Sequence, residues 1–571
     1  VPPRPTELFL LGFLAALAAV ASPTPPDHRV PAPVPAPAPD PLAPERLEAA
    51  GARIGSVEID AQDIFDESLP GEDKTLFRLA NRLHRTTRTE VVRRLLLVHP
   101  GDPYSVRRVA ESERLLRSQL YFYDARIRPV RLHPDGTVDL LVTTRDVWSL
   151  NVGVNYRHSG GVSTTHVRMG DTNLLGTGKD VAVSWESNVD RTTTQARYRD
   201  HAVLGSRVVL ELSYADATDG SEKKLLLERP FYSLVTPWAV GVSYDSNRRI
   251  DSLYDLGHVT AQFRHESTDA EVYGGRALSV SDRSTFRLRW GLDYRDDRFL
   301  TALPPRGPGP PAESPYAPPP PDGLPPDRRL VDPWIQWGWI EDGFVTAHDL
   351  DKIQRTEDLN LGGQAAFRVG WSLPALGATE RALLVDAAWS DGRRLGSRTL
   401  LLTALGLSGR ATSAGAENVL GSLALRWYFE DFERGRLTLQ LHADAAHRLD
   451  PELQLLLGGD NGLRGYPLRY QEGDRRFLFS VEQRFYRDRE VLHLMRIGAA
   501  IFADVGRAWF ADPSRARGTD LGVLRDVGFG LRIASSRSAK AAMVHLDVAF
   551  PLDGPRGRRG VQWLVTTGET F

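Results

Sequence analysis

From residue 148 to residue 571, apolar and polar positions alternate with a period of two, in segments of about ten residues. Leu150, Val152, Val154 and Tyr156 alternate with Asn151, Gly153, Asn155 and Arg157. The same pattern returns at 208–214, 239–244, 286–294, 437–443, 527–533 and 544–552. Successive side chains of a strand point to opposite faces, so each run predicts a strand with one apolar and one polar side. Many such segments in series are the pattern of a transmembrane β-barrel, and Trp334, Trp337 and Trp339 suit its interfacial girdle. Counting every run gives up to about 20 strands, with the stretches near 192–217 and 415–448 open to being bent strands or hairpins outside the membrane.

Direction follows from parity. With both barrel ends on the inner side, the segments at 552–561, 509–524 and around Arg464 fall outside, and the shorter ones at 536–541 and 489–494 fall inside. Long outer loops and short inner turns are the asymmetry of such barrels. The proline-rich stretch 303–333 also falls outside. The rival for this alternation is a soluble sandwich or propeller; no repeat at blade period supports one.

Residues 53–146 follow other periods. Ile54, Val57 and Ile59 predict a strand, and Leu76, Leu79, Ala80 and Leu83 lie at helical spacing, as do Val91, Val92, Leu95 and Leu96. Gly101-Asp102-Pro103-Tyr104 signals a turn, and Ser105 is placed to cap a helix with a stripe of Val106, Val109, Leu115, Leu116 and Leu120. Two strands joined by Pro134-Asp135-Gly136 complete a small α/β domain. Residues 23–52 read as a Pro/Ala-rich linker. Residues 1–22, with Arg4, an apolar run and Ala19-Val20-Ala21, read as a signal peptide, and the run is too short for a spanning helix.

Composition narrows the chemistry. The 571 residues carry 71 basic and 73 acidic side chains and a net charge of −2, which gives no argument for nucleic-acid binding. With no cysteine, disulfides, thiol nucleophiles and Cys-ligated metals are excluded. The 14 histidines are scattered and call for no metal, no cofactor is expected, and no nucleophile elbow or complete phosphate loop occurs, so no catalytic residue is assigned.

Three short motifs stand in order in the last quarter: Leu463-Arg464-Gly465-Tyr466, Ser480-Val481-Glu482, and Phe502-Ala503-Asp504-Val505-Gly506. With the weaker Asp171–Gly178 and Glu228-Arg229-Pro230-Phe231, they resemble the outer-membrane assembly-factor superfamily, the BamA-like and TamA-like bacterial surface antigen proteins and two-partner secretion transporters. The resemblance covers roughly 53–571. It implies one POTRA-like periplasmic domain at 53–146, an outer-membrane barrel of 16 strands at 147–571, and a long outer loop folded back into the lumen.

The residues make a physical case beside it. Alternation puts Glu482 and Asp504 on the polar faces of adjacent strands, and the planar guanidinium of Arg464 could hold both. Arg464, Gly465, Tyr466, Glu482, Asp504 and Gly506 are the expected loop lock; a solvated loop arginine is the alternative. The terminal Phe571 resembles the sorting signal of outer-membrane barrels. Trp563, Gly568 and Phe571 on the last strand, with Val152 and Val154 on the first, are the expected seam.

The functional expectation is a non-enzymatic factor that inserts or translocates proteins at the bacterial outer membrane. Its partners would be the lipid bilayer, unfolded outer-membrane clients and periplasmic accessory proteins. The alternative is a pore exporting one dedicated soluble substrate.

Overall fold

The computed structural model describes residues 41–68, 74–302, 317–347, 356–432, 435–486, 490–491, 495–515, 520–535, 543–554 and 560–567. The expected signal peptide, part of the linker, and seam residues Gly568 and Phe571 lie outside them.

Twenty strands form one closed antiparallel barrel, running from Leu150–Ser159 to Gln562–Thr567 with neighbours in sequence also neighbours in space. The number is twenty rather than the sixteen implied by resemblance. The two stretches left open resolve as four separate barrel strands, Thr192–Asp200, Val209–Ala217, Gly415–Phe432 and Gly435–His447, each paired on both sides. Ladders on both sides carry each of them through the sheet, which a hairpin outside the membrane would lack. The proline-rich outer segment is also shorter than expected, because a strand, Arg328–Glu341, takes over and runs through Pro333.

The wall is inverted relative to a soluble protein. On the ninth strand, Ser284–Thr301, Phe286, Trp290 and Leu292 are exposed outward, while Asp293, Arg295 and Asp297, of the opposite parity, meet partners inside. This suits lipid outside and a polar lumen within, since a closed barrel satisfies every ladder hydrogen bond. No described helix is long and apolar enough to cross a membrane. The barrel is lopsided. Strands seven to nine hold 18, 23 and 18 residues, whereas about ten suffice to cross, so this flank extends well beyond the apolar band.

Ahead of the barrel lies a three-stranded sheet in the order Arg53–Gln62, Thr137–Asp146, Phe122–Leu132. Helices Thr89–Leu95 and Val106–Arg117 cover it around Ile54, Val92, Leu96, Leu116, Val138 and Leu140. Ser105 accepts from the Arg108 amide as the cap of the second helix. Leu47 and Ala52 belong to the same core, and Pro44–Ala49 is helical, so the domain begins inside the stretch assigned to linker.

This domain sits against the barrel's inner turns. Arg107 donates to Asp342 at 2.9 Å, and Arg117 grips Asp358 with two bonds of 2.8 and 2.7 Å. Both aspartates belong to the connection between strands ten and eleven, which carries the small hairpin Phe344–Ala347 with Glu357–Asn360. Glu111 accepts from the Leu234 amide in the turn between strands six and seven.

Candidate functional site

The loop between strands fifteen and sixteen turns back into the lumen. A two-stranded base, Leu455–Leu457 with Gln471–Gly473, narrows it, and its apolar side chains Leu457, Leu463, Tyr466 and Tyr470 pack with Leu478 and Leu524 of the wall. Burial of this apolar set orders the loop before any charge is considered.

Arg464 stands at the loop's tip, 1% exposed. Its Nε and Nη2 donate to the two oxygens of Asp504 at 2.7 and 2.9 Å, and Nη1 donates to Glu482 at 2.8 Å. Nη2 also reaches Ser480 Oγ at 3.2 Å, and that hydroxyl donates to Asp504 at 2.6 Å. The guanidinium carbon lies 3.3 Å from the centre of the Phe502 ring. A planar fork met by a bidentate carboxylate, a second carboxylate and an aromatic face is an arrangement lysine cannot reproduce.

Strand register explains the convergence. Ser480 pairs with Asp504 and Glu482 with Phe502, so Glu482 and Asp504 sit diagonally on the same lumen face. Gly465 follows the arginine where a Cβ would fall 2.6 Å from Asp526 Cβ, and its amide donates to Asp526 at 2.9 Å. Gly506 leaves room for Leu457, which a Cβ would meet at 2.9 Å. The Tyr466 hydroxyl donates to the Arg525 carbonyl at 2.8 Å and accepts from the Asp553 amide at 3.2 Å.

The cluster is larger than the motifs suggest. Arg484 and Arg532 each donate to Glu482 at 2.8 Å, and Arg532 also binds Asp547 at 2.6 Å. Arg464, Arg484 and Arg532 thus face Glu482, Asp504, Asp526 and Asp547, all buried. Charges in such a site interact far more strongly than at a surface, and each carries a desolvation cost that only its partners offset. The signal for the extra members was a charged residue in the middle of an apolar run, as at Arg532 between Leu531 and Ile533.

The loop has a second anchorage. Arg469, at φ 53°, grips Asp190 with bonds of 2.8 and 2.7 Å and stacks 4.3 Å over Tyr254. Gln454 exchanges two hydrogen bonds with the Tyr254 backbone, at 2.9 and 3.0 Å. The Ser159 hydroxyl donates to the Gly459 carbonyl, and Gly160, at φ 56°, lies where a Cβ would strike the Leu468 amide at 2.3 Å. The loop therefore touches the turn after the first strand and, through Tyr466, the turn before the last.

Between those two strands the ladder is thin. Among the described residues, the last strand holds one registered pair with the first, Val565 with His158. On its other side it pairs continuously from Gln562 to Thr567. Trp563 faces outward at 49% exposure and stacks on His158 with ring centres 3.8 Å apart. Val152 and Val154 lie in the first strand, where the backbone pairs with the second strand; their side chains lie outside the described residues.

No family model matches the chain, and no curated protein matches it. Among solved structures, it is similar to BamA from Haemophilus ducreyi lacking POTRA domains 1–3 at 14% identity and a TM-score of 0.38, over 91% of this chain and 85% of that one. It is also similar to CdiB from Acinetobacter baumannii at 13% identity and a TM-score of 0.44, over 90% and 73% of the two chains. CdiB from Escherichia coli stands at 13% and 0.46, over 90% and 76%.

Proposed function

We propose that this chain is an outer-membrane factor that inserts or translocates polypeptides without chemical catalysis, by opening its barrel at the junction of the last and first strands. The observation that carries the reading is the single registered pair at that junction among the described residues, in a barrel whose other neighbours pair over longer ladders. A strand edge left unpaired at such a junction can template an incoming strand. The loop held by Arg464 spans the junction from above, since it contacts both Ser159 and Asp553. It acts as a structural clasp on a gate. In this reading the barrel lies in the bacterial outer membrane and the α/β domain on its periplasmic side is a POTRA-like module.

The edge strand Phe122–Leu132 of that module exposes Arg126, Arg128 and Arg131, charges that blunt an edge against casual pairing. Client capture is therefore assigned to the barrel junction in preference to the module.

The test uses the absence of native cysteine. A His158→Cys/Val565→Cys pair, oxidised, joins the two registered positions. Loss of assembly activity on oxidation, restored by reductant, is the expected result. Full activity of the linked form overturns lateral opening and favours the alternative, export of a soluble partner through the lumen. Depletion with outer-membrane proteomics separates the two further: broad loss of barrels marks assembly, and loss of one secreted protein marks a dedicated pore.

A further inference from the structure

The lumen arginines of the tall flank come in two kinds. Arg295 touches Asp269 and Asp293, Arg328 touches Asp297, Asp450 and Glu452, and Arg368 touches Glu271 and Asp293. Nearer the inner mouth, Arg287 and Arg289 project from the lumen face of the ninth strand, and among the described residues neither makes an ion pair. The Nε of each is buried without a hydrogen-bond partner. Arg287 spends one Nη on the Ser233 carbonyl at 2.7 Å. Glu111 of the α/β domain acts on it electrostatically from beyond ion-pair distance.

Both guanidiniums are nevertheless fixed in place. Arg287 stacks on Phe231 with 4.6 Å from guanidinium carbon to ring centre, and Arg289 on Tyr273 at 4.1 Å. The carboxylate close by, Glu228, is engaged by the Tyr273 hydroxyl at 2.6 Å. The two arginines border a cavity of about 500 Å³ whose lining continues along the same wall through Gln336 and the small residues Gly338, Ala366 and Ala388 of the next three strands. Leaving donors of this kind buried and unpaired is costly, and a site with preset donors beside an apolar floor is the usual make-up of a ligand pocket.

We propose that Arg287 and Arg289 form a receptor for an organic oxyanion, a carboxylate or phosphate group carried on a small apolar body. Arg289 supplies a fork of parallel donors to the oxyanion, and Arg287 adds the donors that its bond to Ser233 leaves free. Stacking on Phe231 and Tyr273 holds the forks without neutralising them. The volume exceeds what a bare ion needs, and Ala366 and Ala388 receive the apolar part. This receptor stands apart from the Arg464 cluster and from the strand junction.

The experiment is calorimetric titration of the full chain in non-ionic detergent, with phenyl phosphate as the probe. Saturable binding is expected, weakened tenfold or more in Arg287→Gln/Arg289→Gln. Benzyl alcohol, the neutral counterpart, should give none. Ala366→Leu fills the floor while keeping both arginines and should weaken binding to a similar degree, which guards against a misfolded double variant. Phenyl phosphate binding that is absent, or equal in wild type and variants, overturns the receptor. Inorganic phosphate binding as tightly as phenyl phosphate overturns the apolar half of the site. Competition from phosphatidic acid in mixed micelles assigns a lipid source, and its failure assigns a water-soluble one; either keeps the receptor. None of these readouts depends on assembly activity, so the assembly reading and this one can fail separately.

Discussion

Strands sixteen to nineteen and the junction of strands twenty and one are neighbouring parts of the same wall, closed by different means. The first region has continuous ladders, with Arg475–Tyr486 paired along its length to the next strand, and a buried cluster of guanidiniums and carboxylates on its inner face. The second has one registered pair among the described residues and an aromatic stack on its outer face. The loop joins them, anchored deeply at Arg464 on the firm side and lightly at Gly459 on the weak side. Under the proposed lateral opening, strength concentrated beside the junction keeps the opening local. The firm flank is where the loop is held, and the junction is what it covers.

The comparison can be broken most directly at Arg464. Arg464→Ala leaves Asp504 buried without its main partner and takes one of three guanidiniums from Glu482, which costs on the order of 3–5 kcal/mol. The heat-modifiable migration of the folded barrel should shift to a clearly lower temperature, and protease access to the loop should rise. Wild-type migration would make the arginine decoration. Arg464→Lys restores the charge without the fork and should recover a minor part. Gly465→Val places side-chain atoms against Asp526, where even a Cβ falls at 2.6 Å, and overpacking of this kind costs about 1–3 kcal/mol. Its loss of stability should be additive with a junction variant and strongly non-additive with Arg464→Ala, which a double-mutant cycle reads.

Smaller effects sharpen the contrast from the weak side and from below. Ser159→Ala removes the loop's bond to the first hairpin and should cost about 1 kcal/mol or less, while raising the rate at which cysteines placed at His158 and Val565 are modified. Unchanged modification would show that the loop does not guard the junction. In the α/β domain, burial raises the Glu111 carboxyl above its ordinary value of 4.5, against the lowering effect of its Leu234 bond and of Arg114. The folded protein therefore binds the proton more tightly than the unfolded one. Docking contributes most below about pH 4.5 and weakens as pH rises through the higher folded value. Glu111→Gln should flatten that dependence, measured as the melting of the domain–barrel contact across the same range.

Alternation alone determined much of this protein: strands rather than helices, and the lumen face shared by Glu482 and Asp504. A period of two is a local property of the chain, so it is written residue by residue at each strand. The motif arginine was legible for a related reason, since two carboxylates on one face of adjacent strands call for a cation, and Arg464 stands in the loop that enters the first of them. Counting runs reached the twenty strands observed, but alternation by itself could not tell a barrel strand from a hairpin beyond the membrane; pairing on both sides decided it for Thr192–Asp200 and Gly435–His447. Nor were Arg484, Arg532 and Asp547 legible as one cluster with Arg464, since register across four strands brings them together. Among the described residues, the short ladder at the junction and the lack of an ion pair at Arg287 and Arg289 are likewise matters of a missing partner. Such a gap exists only once the chain has closed and every neighbour is in place.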